Sequence, residues 1–404
     1  MSKLQDLINR LCPNGVPFKS LGELGIFYGG LTGKSKEDFK EGNAKFITYM
    51  NIYTNPSLKI DVQDFVKVSD SEKQNRIKKG DILFTGSSET PNECGFTSVV
   101  TADVAEPIYL NSFCFGLRLN NPELFNLDFL KHLLRSVELR NQISKTASGV
   151  TRFNVSKARL SKVTIPIPPI EIQTEIAEIL DRFAEYAAEL QAELQARKEQ
   201  YEYYRNLLLS FNPSASDDEP TLTTWGGHSY KIAWKPMGEI VKIMNGKDYK
   251  HIEKGGIPVY GSGGIMTYID DYIYDGESVL LPRKGSIGKI YYVNNKFWTV
   301  DTIYWTKINQ KIIKPKFLYY FLKTQNTERK AIKAGAVPSM TQEIYNKILI
   351  PIPPLELQEK IVAILDRFET LVNDLTQGLP AEIAAVREQY EYYRNKLLTF
   401  KQLA

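Results

Sequence analysis

The chain repeats itself, and that repeat limits its folds more than any other feature. Residues 165–183 read IPIPPIEIQTEIAEILDRF, and residues 350–368 read IPIPPLELQEKIVAILDRF, an offset of 185. A second matched pair follows, RKEQYEYYRNLLLSF at 197–211 and REQYEYYRNKLLTF at 387–400, with the YEYYRN hexamer displaced by 189 residues. Weaker echoes lie further back: VPFKSLGEL at 16–24 against IAWKPMGEI at 232–240, and FLKHLLRS at 129–136 against FLYYFLKT at 317–324. Self-similarity at this level predicts two copies of one structural unit. Each copy is a variable region followed by a nearly constant one, which divides the chain into 1–164, 165–211, 212–349 and 350–404.

The constant segments read as long helices. The prolines of IPIPP suit an extended approach and stop short of a helix interior. Beyond them, apolar residues fall at Ile172, Ile176, Ile179, Phe183, Ala187, Leu190, Leu194, Tyr201, Tyr204, Leu208 and Phe211. This alternating four-and-three spacing is a coiled-coil signal. The second copy begins with Leu357, Ile361, Ile364, Phe368 and Leu375 and ends with Val386, Tyr390, Tyr393, Leu397 and Phe400. Four extra residues and Gly378-Leu379-Pro380 lie between these runs and predict a kink or short break. Two such seams on one chain cannot stay in water, and packing them on each other, antiparallel, is the economical solution. The expected fold class is therefore α+β: two mixed α/β domains joined by two long antiparallel helices in an intramolecular coiled coil, with a pseudo-twofold internal repeat. A further helix around Leu4, Leu7, Ile8 and Leu11 is expected to pack on its own domain or on the opposite one. In the first constant segment, AEYA-AELQ-AELQ at 184–195 is a run of four-residue units, each worth about one helical turn of ~6 Å.

Charge is unevenly placed. The net charge of +4 hides a basic residues 1–164, with 22 Lys+Arg against 17 Asp+Glu, and a basic 212–349, with 19 against 13. The constant segments are acidic, with 4 against 9 in 165–211 and 6 against 8 in 350–404. Two positive bodies on an acidic spacer suit a polyanion met in two places, and duplex DNA is the natural candidate. Cys12, Cys94 and Cys114 are too scattered for a metal clamp and read as thiols of a reducing compartment. The opening MSKLQDLINRLC has no apolar signal region, and no 18-residue apolar run occurs, so a cytoplasmic protein with no membrane partner is expected.

IPIPPxExQ…ILDRF and EQYEYYRN, each present twice, with AELQ units between them, closely resemble the DNA specificity subunit of type I restriction-modification systems, the HsdS family. The resemblance implies two target recognition domains, each reading one half of an asymmetric bipartite sequence in double-stranded DNA. It implies conserved helices that set the gap between half-sites and dock two copies of an adenine-methylating modification subunit, with restriction subunits joining the larger assembly. No cofactor is expected in this chain, and S-adenosylmethionine is expected on the modification subunits. It also implies that the chain is not an enzyme.

The residues agree on that last point. Pro168-Pro169 and Pro353-Pro354 lack the Asp or Asn and the aromatic that flank an adenine methyltransferase proline pair. His132, His228 and His251 have no metal-ligand spacing. Gly33-Lys34, Gly246-Lys247 and Gly288-Lys289 do not complete a phosphate-binding loop, since residue 28, where the first would need glycine, is Tyr28. Neither a catalytic centre nor a metal site is expected. The competing reading is a coiled-coil scaffold whose basic domains bind proteins.

DNA contacts are expected from polar, glycine-rich loops. In the first half these loops offer Lys34, Lys36, Ser87, Ser88, Arg152 and Asn154; in the second they offer Lys247, Ser262, Arg283, Lys284, Ser286, Lys289 and Ser339. The stretch 282–289 is the strongest candidate, because it joins two cations to glycines that let backbone approach phosphate. Ser339 and Thr341 are expected to match Asn154 and Ser156.

Overall fold

A computed structural model describes residues 2–211, 221–325, 339–374 and 377–403. The expected seam residue Leu375 and the expected domain start at 212 lie outside the described residues. The chain forms two compact units, Met1–Leu190 with Ile383–Ala404, and Gln191–Glu382.

The first unit opens with α1 (Ser2–Leu11), β1 (Phe18–Ser20), α2 (Leu21–Leu24), β2 (Gly25–Gly29), β3 (Ala44–Ile47), α3 (Tyr49–Thr54) and β4 (Phe65–Val66). It continues through β5 (Ile82–Thr85), β6 (Ser87–Ser88), β7 (Thr97–Val99), β8 (Ile108–Leu110) and β9 (Cys114–Leu119). Next come α4 (Leu127–Leu133), α5 (Val137–Ser144), β10 (Ala147–Ser148), β11 (Phe153–Val155), α6 (Lys157–Leu160), β12 (Thr164–Pro166) and the 39-residue α7 (Ile170–Leu208). An antiparallel sheet of order β2-β9-β5-β7 is its centre, and a second sheet, β4-β3-β8, contains one parallel pair, β3 with β8. β1 pairs with β12 just before the constant segment.

The second unit repeats this plan. Its elements are β13 (Thr221–Trp225), β14 (His228–Pro236), α8 (Met237–Ile240), β15 (Val241–Asn245), β16 (Lys254–Gly261), β17 (Gly264–Ile269) and β18 (Ser278–Pro282). They continue with β19 (Tyr291–Val293), β20 (Trp298–Thr299), β21 (Ile303–Ile308), α9 (Pro315–Thr324), α10 (Gln342–Asn346), β22 (Leu349–Ile352) and α11 (Leu355–Asn373). The order β15-β21-β18-β19 matches β2-β9-β5-β7, and β17-β16-β20, with β16 and β20 parallel, matches β4-β3-β8. β14 pairs with β22 as β1 pairs with β12. α12 (Gly378–Leu397) closes the chain and lies mostly in the first unit.

One side chain locks each constant segment to the domain that precedes it. Gln173 is fully buried; its Nε2 donates to the carbonyls of Pro168 (2.8 Å) and Leu124 (2.9 Å), and its Oε1 accepts from the Asn126 amide (2.9 Å). Asn126 in turn caps α4, accepting from the amides of Asp128 and Phe129. Gln358, also fully buried, repeats every contact: Nε2 donates to Pro353 (2.7 Å) and Ile312 (3.0 Å), and Oε1 accepts from the Lys314 amide (2.7 Å) at the start of α9. The paired prolines thus have a structural role, supplying a carbonyl that no helix hydrogen bond claims. Two turns on, Asp181 accepts from Lys131 and His132, while Asp366 accepts from Lys316 and Tyr320.

Within each unit the start of one constant segment meets the end of the other. In the first unit Ile172, Ile176, Ala177 and Leu180 share a core with Leu397 and Leu398, and the Phe183 and Tyr393 rings stack at 5.4 Å. In the second, Leu357, Ile361 and Leu365 are buried, and Phe368 stacks on Tyr204 at 5.8 Å. The same Phe–Tyr pair is formed twice, with the two copies exchanging roles. The seam is broader than expected at its start, where Leu180 rather than Ile179 is fully buried, because the helix there faces a recognition domain as well as another helix. The expected break is present: α11 ends at Asn373 and α12 begins at Gly378, placing Pro380 in a first turn, where a missing amide costs nothing. α1 packs on the first unit through Leu4, Leu7 and Ile8, with Lys3 paired to Glu175, while Leu11 is surface.

Two predictions follow from these locks. Gln173→Leu and Gln358→Leu each strand three hydrogen-bond partners, one buried and two half-buried, at a total cost of about 1–3 kcal/mol or more, whereas the exposed Gln195→Leu should stay within about 0.5 kcal/mol; urea denaturation separates the two. His132 is buried, and burial pushes its imidazole below the ordinary value against the opposing pull of Asp181. The unfolded chain therefore binds the proton first, and stability of the first unit should fall as pH drops from 7 to about 5. Asp181, itself held low, titrates beneath that window. His132→Gln should flatten the melting temperature across it.

Candidate nucleic-acid interface

Both units build the same backbone frame at the end of their central strand. In the first, Gly86 follows β5; its amide donates to the Phe113 carbonyl (2.8 Å) and its carbonyl accepts from the Val155 amide (2.9 Å). In the second, Arg283 follows β18; its amide donates to Thr302 (2.8 Å) and its carbonyl accepts from Met340 (2.9 Å). β6 pairs with β11 through Asn154 and Ser87, and the corresponding bridge joins Lys284 to Ser339. Ser156 and Thr341, two residues on, each cap the next short helix, α6 and α10, which bears out the expected match. The preceding turn also corresponds. A Cβ on Gly30 would meet the Asn111 carbonyl at 2.1 Å, and one on Gly246 would meet that of Val300 at 2.0 Å, so only glycine fits at either place.

Different side chains stand on this shared frame. In the first unit the structure gathers Ser87, Ser88 and Asn154 on the sheet β10-β11-β6, with Arg152 immediately before β11. The Arg152 Nε donates to Ser87 Oγ (3.1 Å), and its guanidinium lies 5.6 Å from the centre of the Phe113 ring. Ser88 donates to Glu93 (3.2 Å), and Asn154 is exposed. Lys34 stands apart from this group: its side chain is only 5% exposed, held by Glu72 at 2.5 Å. That contact, with Gln74 and the Ser69 amide, holds the Glu72 carboxyl down to about 2. Lys36 is exposed, beside the short 3-10 turn Glu37–Phe39.

In the second unit Thr302 is the hub. It accepts from the amides of Arg283 and Lys284, and its Oγ1 accepts from the Ser262 amide (3.3 Å). Arg283 donates to the Asp301 carbonyl (3.3 Å) and leans over the Tyr304 ring. Lys284, Ser286 and Lys289 are exposed on a loop anchored by buried Ile287. Lys247 is exposed one residue past Gly246, its backbone fixed by Thr299 and by the Trp298 indole. Arg283, Lys284, Ser262 and Ser339 thus converge around one threonine.

Phe113 and Thr302 were not among the residues singled out from sequence. Both precede a buried strand, β9 and β21, and only the pairing of those strands with β5 and β18 brings them to the frame. Among the described residues no group of three His, Cys, Asp or Glu side chains could hold a metal ion, and no helix is long and apolar enough to cross a membrane. Cys94 and Cys114 are buried thiols, with burial pushing Cys114 up to about 12. His132 is a core residue, and His228 and His251 are exposed. Lys284→Ala is expected to weaken duplex binding and lower the salt slope by about one, and Lys34→Ala to leave both unchanged, read by titrations across salt concentrations.

Comparison with known proteins agrees with this geometry. The profile of the type I restriction modification DNA specificity domain matches residues 13–199 and again 232–385. A Haemophilus influenzae protein described as a type I restriction enzyme specificity subunit is 32% identical over 306 residues, 70% of this chain and 74% of its own. The Escherichia coli EcoR124I/EcoR124II specificity subunit is 32% identical over 283 residues, 61% of this chain and 65% of its own. In fold, a solved chain from a type I R-M system aligns with a TM-score of 0.61 at 18% identity over 96% of this chain and 98% of that one. The S subunit from M. genitalium aligns with a TM-score of 0.54 at 18% identity over 95% and 96%. With one specificity domain in each half and the recognition frame built twice, the chain belongs to the type I restriction-modification DNA specificity family.

Proposed function

We propose that this chain is the sequence-reading subunit of a type I restriction-modification complex and that each unit reads one half of an asymmetric bipartite site in duplex DNA. The observation that carries the reading is the doubled frame: identical backbone hydrogen bonds at Gly86 and Arg283, with Ser87 and Asn154 on one and Lys284 and Ser339 on the other. Equal frames with unequal side chains give two readers of one design and two different targets.

The division into recognition domains 1–164 and 212–349 and constant helices 165–211 and 350–404 follows the same logic. The repeated Phe–Tyr stack supports an antiparallel intramolecular coiled coil and a pseudo-twofold repeat. The acidic helices space the basic domains and dock two modification subunits, which bind S-adenosylmethionine and methylate adenine, while restriction subunits complete the assembly in the cytoplasm. The chain itself contributes recognition and no catalysis.

The deciding measurement is single-molecule mapping of methylated adenines in DNA from a methylation-free host that expresses this chain with its modification subunit. A bipartite motif with a fixed gap, lost when the chain is omitted, is the expected result. Unchanged methylation without the chain would contradict it and favour a protein-binding scaffold. The same mapping on a variant with one further AELQ unit after Gln195 should show a longer gap between unchanged half-sites, since the unit adds ~6 Å of helix.

A further inference from the structure

We propose that each recognition face reads a thymine methyl group through an exposed apolar side chain, Phe113 in the first unit and Met266 in the second. The proposal rests on the specificity reading above and names the chemistry it uses.

Phe113 is 59% exposed, yet its backbone is fixed on both sides: its amide donates to Asn111 Oδ1 (2.8 Å), and its carbonyl accepts from Gly86 (2.8 Å). The exposed ring is therefore carried by a tied loop, beside the Arg152 guanidinium. The corresponding frame position in the second unit holds the small Thr302, which leaves room. Met266, on the neighbouring hairpin strand β17, lies next to it across Gly261. A Cβ on Gly261 would lie 2.6 Å from the Met266 sulfur and 3.4 Å from Thr302 Oγ1, so the glycine lets the thioether lie down toward the hub. Met266 remains 58% exposed there. Two unrelated chain segments thus bring an exposed apolar group to each frame, Phe113 beside Arg152 and Met266 beside the Thr302 hub.

Water is a poor neighbour for such a group, and the facing DNA offers it few alternatives. Phosphates, sugars and most base-edge atoms in the major groove are polar, and the thymine C5-methyl is the apolar exception. Exposed phenylalanine and methionine beside cations that draw in the duplex therefore find their complementary major-groove contact at a thymine methyl.

The test uses the assembled complex with its modification subunit and duplexes carrying the mapped bipartite site, in which each thymine is replaced singly by deoxyuridine. One thymine in each half-site should show binding weakened about fourfold by loss of its methyl. Phe113→Ala should weaken binding to thymine DNA to the same degree and erase the uracil effect in one half-site only, and Met266→Ala should do so in the other. Met266→Leu should keep the effect. Both positions are exposed, so melting should not move. A half-site with no uracil-sensitive thymine, or an alanine variant that remains fully sensitive, overturns the proposal and favours insertion between base steps. A complex with no sequence preference on any duplex overturns the specificity reading instead.

Discussion

A buried glutamine at the head of each constant helix is the contact on which the arrangement of each unit depends. Gln173 and Gln358 reach backward to a proline carbonyl and sideways to the recognition domain, accepting the amide that begins α4 or α9. A fully buried amide must satisfy its donors and acceptor together, and only one relative placement of helix and domain does so. An apolar residue there would tolerate sliding. The carboxylates of Asp181 and Asp366, two turns along, hold the same pair of elements at a second point, so the helix can neither pivot nor shift register.

That rigidity is what makes a divided reader workable. Base edges are read by hydrogen bonds and contacts that tolerate errors of a fraction of an ångström. In both units the frame is held by backbone bonds, from Gly86 or Arg283 to the strand beside it, and by glycines at 30 and 246 that no side chain could replace. The exposed side chains at Asn154 and Lys284 are then free to differ without disturbing the scaffold, whereas Ser87, expected to contact DNA, is buried and accepts from Arg152.

Much of this was legible in the residues. The duplication, the long helices, the break before Gly378 and the structural character of the proline pairs all follow from sequence pattern, and the structure bears them out. Arg152, Asn154, Arg283, Lys284, Ser262 and Ser339 fell in loops that strand pairing does bring to the two frames. Lys34 reads in sequence like any other loop lysine, but Glu72, far along the chain, holds it nearly out of solvent. Phe113, Met266 and Thr302 carry no local signal in the sequence that separates them from other loop and strand residues. Leu180 took the place of Ile179 at the core because a helix facing a domain buries a wider stripe than one facing a single helix.

The sequence by itself determined that this chain is two copies of one unit, each a variable domain followed by a long amphipathic helix, because periodicity and repetition are read along the chain without reference to its fold. Tertiary structure alone decided which side chains share a surface. Gly86 meets Phe113, Arg283 meets Thr302, and the buried glutamines find their partners about fifty residues away, through strand register and buried hydrogen bonds. Those pairings minimise the number of unsatisfied polar groups over the whole unit, a condition that no local window of sequence can evaluate.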